Sequence, residues 1–112
     1  MATQPLEEAP APVERRDFPR KKIQVKIEIE WGAAVLTGTV RDIGTRGLFV
    51  ELSPPLWIGA RFHACLVVSP VLRLDCTVVR VEPSAGMAVT YELPEEGDKA
   101  HLERLLVGLA PA

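Results

Sequence analysis

The stretch IQVKIEIEW, residues 23–31, alternates apolar and polar side chains at every position. Isoleucine, valine and tryptophan occupy the odd positions, and glutamine, lysine and glutamate occupy the even ones. Successive side chains of a β-strand point to opposite faces, so this period of two predicts a strand with one buried and one solvent-facing side. The folded body of the chain is therefore expected to begin with a strand.

Further segments with strand character follow at short intervals, separated by glycine and proline. They are residues 34–42, 48–52, 61–68, 72–82 and 86–93. No helix-period segment interrupts them. The pattern predicts a mainly β fold, a six-stranded antiparallel barrel over residues 23–93, with an antiparallel meander as the expected topology.

The C-terminal segment 98–109 changes period. Its leucines are spaced i, i+3, i+4 and i+7, at positions 102, 105, 106 and 109. This spacing predicts an amphipathic α-helix, with Asp98 as its expected N-cap. We expect the helix to pack on its own barrel, because a small domain needs all its apolar surface to build a core. The alternative is that the leucine stripe contacts a partner.

Length and charge limit the remaining possibilities. A chain of 112 residues fits one small domain, and residues 1–13, rich in proline and alanine, predict a disordered tail. There is neither an apolar run of membrane-spanning length nor a signal-peptide pattern, which predicts a cytoplasmic protein without membrane insertion. Two cysteines, Cys65 and Cys76, are too few for a disulfide framework and are expected to be buried free thiols.

Catalytic motifs are missing from the sequence. His63 and His101 have no nucleophile or carboxylate pair beside them, and neither a Gly-x-Ser-x-Gly nor a phosphate-loop pattern occurs. The cysteines and histidines also lack the spacing of a zinc site. We expect no enzymatic activity, no metal and no cofactor.

A basic segment, ERRDFPRKK, covers residues 14–22 immediately before the first predicted strand. Pro19 argues against a helix, so the segment is expected to be an extended arm. Its arginines, Arg15, Arg16 and Arg20, suit phosphates and guanine edges, because a guanidinium donates two parallel hydrogen bonds. Taken alone, the segment is slightly more typical of a solvated basic linker, because charge runs usually face solvent.

A second motif, DIGTRG at residues 42–47, connects the second and third predicted strands. As a turn, it is expected to use Gly44 and Gly47 for positive-φ conformations. As a binding site, Asp42 offers a carboxylate that can accept the N1 and N2 hydrogens of a guanine. Gly47 would let a base or a phosphate approach the main chain, because it has no Cβ.

Together the two motifs resemble the signature of the PilZ domain family, which is Arg-x-x-x-Arg followed by Asp/Asn-x-Ser-x-x-Gly. The first appears as Arg16-x-x-x-Arg20 and the second as Asp42-x-Gly44-x-x-Gly47. The resemblance covers roughly residues 14–108, and we place the domain at 14–109. Gly44 departs from the family pattern, which has serine there.

The resemblance implies a receptor for the bacterial second messenger cyclic di-GMP. Arg16 and Arg20 would be the principal contacts, with Arg15 as a third, and Asp42 would accept from a guanine beside Gly44 and Gly47. Binding would order the arm and signal to an unidentified protein partner that controls motility, surface polysaccharide or a related output.

Two other functions are weighed against this one. The first is a degenerate PilZ-fold interaction module that binds no nucleotide and contacts proteins, or a second copy of itself, through the barrel face or an exposed leucine stripe. The second is a barrel that binds RNA or DNA. A net charge of −2 and the scarcity of aromatic residues argue against a nucleic-acid polymer as the partner.

Overall fold

The computed structural model describes residues 20–109, which form six β-strands followed by one α-helix. The strands are β1 (Lys21–Trp31), β2 (Ala34–Ile43), β3 (Gly47–Glu51), β4 (Arg61–Leu66), β5 (Leu72–Glu82) and β6 (Gly86–Glu92), and the helix is α1 (Asp98–Val107). The strands close into a barrel in which every neighbouring pair is antiparallel. The predicted fold class, a six-stranded antiparallel barrel with a C-terminal helix, is confirmed.

Strand β1 has the two faces that its sequence predicts. Ile27 and Ile29 are fully buried, whereas Lys26 and Glu28 on the alternate positions are exposed. Strand β4 and the first part of β5 show the same alternation, whereas β3 and the first part of β6 are buried on both faces. Together the strands direct a continuous set of apolar side chains into the barrel interior. Burial of this apolar surface is the main force that holds the barrel together.

The order of the strands around the barrel differs from the expected meander. The order is β1-β2-β3-β6-β5-β4, so that β3 pairs with β6 and β4 pairs with β1. The meander prediction is wrong because residues 52–60 do not form a hairpin. This segment, which contains Pro54 and Pro55, crosses one end of the barrel and places Leu56 and Ala60 in the core.

Antiparallel pairing brings the first residues of β1 and β3 to the same end of the barrel as the last residues of β2 and β6. Lys21 lies opposite Ile43, and Gly47 lies opposite Thr90. This end therefore combines the residue before β1 with the DIGTRG turn. The opposite end carries an edge-to-face aromatic pair, Trp31 and Trp57, with ring centroids 4.9 Å apart.

Helix α1 supplies part of the core. Leu102 and Leu106 are buried in the barrel cluster, and Leu105 and Leu109 pack against it while partly buried. The leucine stripe is thus used inside the domain. The helix covers Asp98–Val107, where the sequence suggested 98–109. Within residues 20–109, no helix is both long enough and apolar enough to cross a membrane.

The predicted N-cap of α1 is wrong. Gly97 occupies that position, and it has no side chain that could cap the first turn. Asp98 is instead the first helical residue, and a negative charge in the first turn is favourable near the positive end of the helix dipole.

The two cysteines are free, and they differ in burial. Cys76 points into the core, whereas Cys65 is only half-buried on the barrel exterior, so the expectation of burial fits Cys76 alone. Burial, with a smaller contribution from the Asp75 charge, raises the pKa of the Cys76 thiol to about 12. Cys76 is therefore a protonated packing residue at neutral pH.

Candidate ligand-binding site

One ion pair joins the two sequence motifs. Arg20, the residue before β1, places its Nη2 2.5 Å from Oδ1 of Asp42, near the end of β2. The other carboxylate oxygen accepts from Nε of Arg41 at 3.3 Å. The Asp42 side chain is only 14% exposed, against 47% for each arginine. A largely buried acceptor is thus surrounded by guanidinium groups that remain accessible.

Arg41 is fixed by a second contact. Its guanidinium carbon lies 3.9 Å from the ring centroid of Phe49, which sits opposite Asp42 in the β2–β3 register. This cation–π contact orients the guanidinium over the ring while its polar edge bonds Asp42. Arg41 is not among the site residues that the two motifs predicted.

Hydrogen bonds within the DIGTRG turn, and between the turn and β6, hold the turn in place. The Gly44 amide donates to the Gly47 carbonyl at 2.8 Å, and the Tyr91 amide donates to the Arg46 carbonyl at 3.3 Å. The Tyr91 hydroxyl donates to the Gly44 carbonyl at 2.5 Å. Burial strongly raises the pKa of this phenol, although the nearby Arg20 charge acts in the opposite direction. The hydroxyl therefore stays protonated and remains a donor.

The two glycines of the turn have a different role from the predicted one. In the described chain, the glycines with positive φ are Gly32, Gly59 and Gly86, so the positive-φ expectation for Gly44 and Gly47 is wrong. Gly47 is constrained by space. A Cβ there would lie 2.8 Å from the Val89 carbonyl oxygen. Gly47 therefore allows β3 to approach β6, and whether it also admits a ligand stays a prediction.

A depression of about 480 Å³ opens beside this turn. Four arginines line it: Arg20, Arg41, Arg46 and Arg80. Arg80 comes from β5, where its Nη2 donates to Glu82 at 3.0 Å. Among the lining residues that the structure describes, four arginines and one carboxylate, Asp42, give the depression a formal charge of +3. It suits an anion that also presents hydrogen-bond donors to Asp42.

A second depression of similar volume has the opposite character. It lies over β4, β5 and β6 and is lined by Glu30, Asp75 and Glu92 as well as Arg61 and His63. His63 and Asp75 are engaged with each other at 2.7 Å. The acidic groups outnumber the arginine here, so an anionic ligand would favour the arginine-lined depression.

The structure brings four predicted site residues together at one end of the barrel: Arg20, Asp42, Gly44 and Gly47. The predicted residues Arg15 and Arg16 lie outside the described residues, as do the predicted tail and most of the predicted arm. Between residues 20 and 109, the structure shows no group of three or more histidine, cysteine or acidic side chains suited to a metal ion.

Comparison with known families identifies the fold. The PilZ domain model matches residues 14–108, and the chain belongs to the PilZ domain family. The match spans both motifs, all six strands and the helix. PilZ domains serve as receptor or adaptor modules. No curated protein matches the chain.

Two solved structures share the fold at low sequence identity. The Bacillus subtilis inhibitor of motility, MotI/DgrA, aligns with a TM-score of 0.66 and 15% identity over 80% of this chain and 48% of that one. The present chain thus spans about half the length of that protein. The PilZ domain of CeSA from a cellulose-synthesizing bacterium aligns with a TM-score of 0.62 and 17% identity, covering 81% of this chain and 97% of the other.

Proposed function

We propose that this PilZ domain is a cytoplasmic receptor for cyclic di-GMP that acts as an adaptor, without catalysis. The observation that carries the proposal is the contact between Arg20 and Asp42, which joins the two motifs at one arginine-lined depression. Residues that are 22 positions apart in sequence meet there. The pairing gives one site both phosphate-binding and guanine-binding chemistry.

The chemistry of cyclic di-GMP matches what this site offers. Its two phosphodiesters are anionic, and guanidinium groups bind such oxygens through paired, charge-assisted hydrogen bonds. Its guanines present N1–H and N2–H donors, for which Asp42 is a suitable acceptor. In the structure Arg20 bonds that acceptor. Binding would transfer Arg20 to a phosphate and leave Asp42 to the base.

The proposed output is a protein interaction. One structural neighbour is an inhibitor of motility and the other comes from a cellulose-synthesizing bacterium, which supports an output in motility or surface polysaccharide. Arg15 and Arg16 precede Arg20 and would supply further ligand contacts. Docking of the 14–22 arm would then change the surface offered to a protein partner, as a shift in population between two states.

Calorimetric titration of the full chain with cyclic di-GMP tests the proposal. Wild type should bind at micromolar concentrations or below. Arg20→Ala should weaken binding about 10- to 150-fold, since hydrogen bonds to charged groups contribute about 1.5–3 kcal/mol. Arg73→Ala, at an exposed arginine outside the depression, is the matched control and should bind like wild type.

Two results would overturn the proposal. One is the absence of heat at tens of micromolar cyclic di-GMP. The other is equal affinity in wild type and Arg20→Ala. Either result would favour the interaction module that binds no nucleotide. The burial of Leu102 and Leu106 removes the exposed leucine stripe through which that module was expected to act.

A further inference from the structure

We propose that Tyr91 is a positioning residue for the ligand site, an inference that rests on the proposed function. Its hydroxyl donates to the carbonyl of Gly44 across 47 positions of sequence. Gly44 stands where the PilZ signature has serine, so the turn has no side chain of its own at that position. Tyr91 supplies from β6 a hydroxyl that fixes the main chain of the turn.

The contact lies between the two residues of the turn that would bind the ligand, one through a carboxylate and one through a guanidinium. Asp42 lies two residues before Gly44, and Arg46 lies two residues after it. The Tyr91 amide also donates to the Arg46 carbonyl. One residue of β6 thus fastens the turn on both sides of Thr45. The distance between the guanine acceptor and the arginine of the turn depends on these two bonds.

Burial makes the contact persistent. The Tyr91 residue is 8% exposed, so its ring is packed, and the raised pKa keeps the phenol protonated. Gly44 is itself buried, and its carbonyl depends on this donor. A glycine at this position would otherwise leave the turn with more conformations to lose on binding. The tyrosine removes that freedom before the ligand arrives.

Tyr91→Phe is the test, because it deletes the hydroxyl and keeps the ring. Without added ligand, amide hydrogen exchange measured by NMR should accelerate in the variant at Gly44 and at Tyr91. The Gly44 amide donates within the turn, and the Tyr91 amide donates from β6 to the turn. Exchange at Val78, whose amide donates to the Ala60 carbonyl away from the turn, should stay unchanged. Unchanged exchange at Gly44 would overturn the inference.

Affinity is the second readout. Cyclic di-GMP should bind Tyr91→Phe about two- to tenfold more weakly than wild type, as expected for the loss of one neutral hydrogen bond. Trp31→Phe, which disturbs the aromatic pair at the other end of the barrel, controls for general destabilisation and should bind like wild type.

The two readouts separate the positioning role from a structural one. Faster exchange with unchanged affinity would show that Tyr91 only stabilises the fold, and would overturn the inference. An equal loss of affinity in Trp31→Phe would do the same. If wild type itself fails to bind, the proposed function fails, while the exchange experiment still decides whether Tyr91 holds the turn.

Discussion

Replacing Asp42 by alanine should change which cyclic dinucleotide the site prefers. The Asp42 carboxylate is the acceptor in the depression, and Arg20 and Arg41 hold it in place. A guanine edge offers this acceptor two donors, N1–H and N2–H. An adenine edge offers one donor group, the N6 amine, beside an N1 lone pair that a carboxylate repels. Asp42 should therefore set the preference for cyclic di-GMP over cyclic di-AMP.

The size of the change follows from two effects of the Asp42→Ala substitution. Loss of hydrogen bonds to a charged acceptor should weaken cyclic di-GMP binding by about 1.5–3 kcal/mol, a factor of about 10 to 150. Loss of the negative charge also raises the formal charge of the depression from +3 to +4, which strengthens attraction to the phosphates of either ligand. This second effect cancels in the ratio of affinities, so the preference should fall by up to this factor of about 10 to 150.

The variant should remain folded. Both arginines that contact Asp42 are 47% exposed, and such ion pairs contribute about 0–1 kcal/mol. Calorimetric titration with both dinucleotides measures the ratio directly. Asp75→Ala removes another partly exposed carboxylate, the partner of His63, and should keep the wild-type preference. An unchanged ratio in Asp42→Ala would refute the assignment of Asp42 as the guanine acceptor.

Two further predictions concern stability. Gly47→Ala should lower the free energy of unfolding by about 1–3 kcal/mol, because its Cβ would lie 2.8 Å from the Val89 carbonyl oxygen. Gly97→Ala is the control and should be nearly neutral, because a Cβ there has nothing within 4 Å. Equal denaturation midpoints for the two variants would contradict this prediction. The Cys76 thiol should make the free energy of unfolding fall as pH rises above 9. Its pKa is 9.0 in the unfolded chain and about 12 in the folded protein, so the unfolded chain releases the proton first and is stabilised by doing so. Denaturant titrations should show a loss of about 1 kcal/mol between pH 9 and pH 10 that Cys76→Ala lacks.

The strands could be predicted because their signal is local. A segment such as Lys21–Trp31 shows its own buried and exposed faces, whatever it pairs with. The closure of the barrel could not be predicted in this way. A meander and the observed order satisfy the same alternation, and they differ only in the pairing of β3 with β6 and of β4 with β1. Those pairings depend on where residues 52–60 cross, which period-two patterns do not encode.

The same distinction applies to the site. Arg20 and Asp42 were found because their motifs are short and contiguous in sequence. Arg41 could have been found, since it shares the outward face of β2 with Thr37 and Thr39. Arg80 could not, because it lies on β5 and reaches the depression only through the order β3-β6-β5. Its contribution is a consequence of topology.

The ion pair between Arg20 and Asp42 should govern how the proposed ligand exchanges partners with the site. Because the Asp42 side chain is only 14% exposed, separating the pair without a replacement donor would leave a largely buried carboxylate unpaired, which costs more than the loss of an exposed ion pair. A bond from Arg20 to a phosphate and one from guanine to Asp42 are each charge-assisted, and such bonds contribute about 1.5–3 kcal/mol. We therefore expect the exchange to favour cyclic di-GMP, because Arg20 and Asp42 would each regain a charge-assisted partner. An anion without a guanine edge would bond Arg20 alone and leave Asp42 unpaired, so the pair should discriminate against simple phosphates.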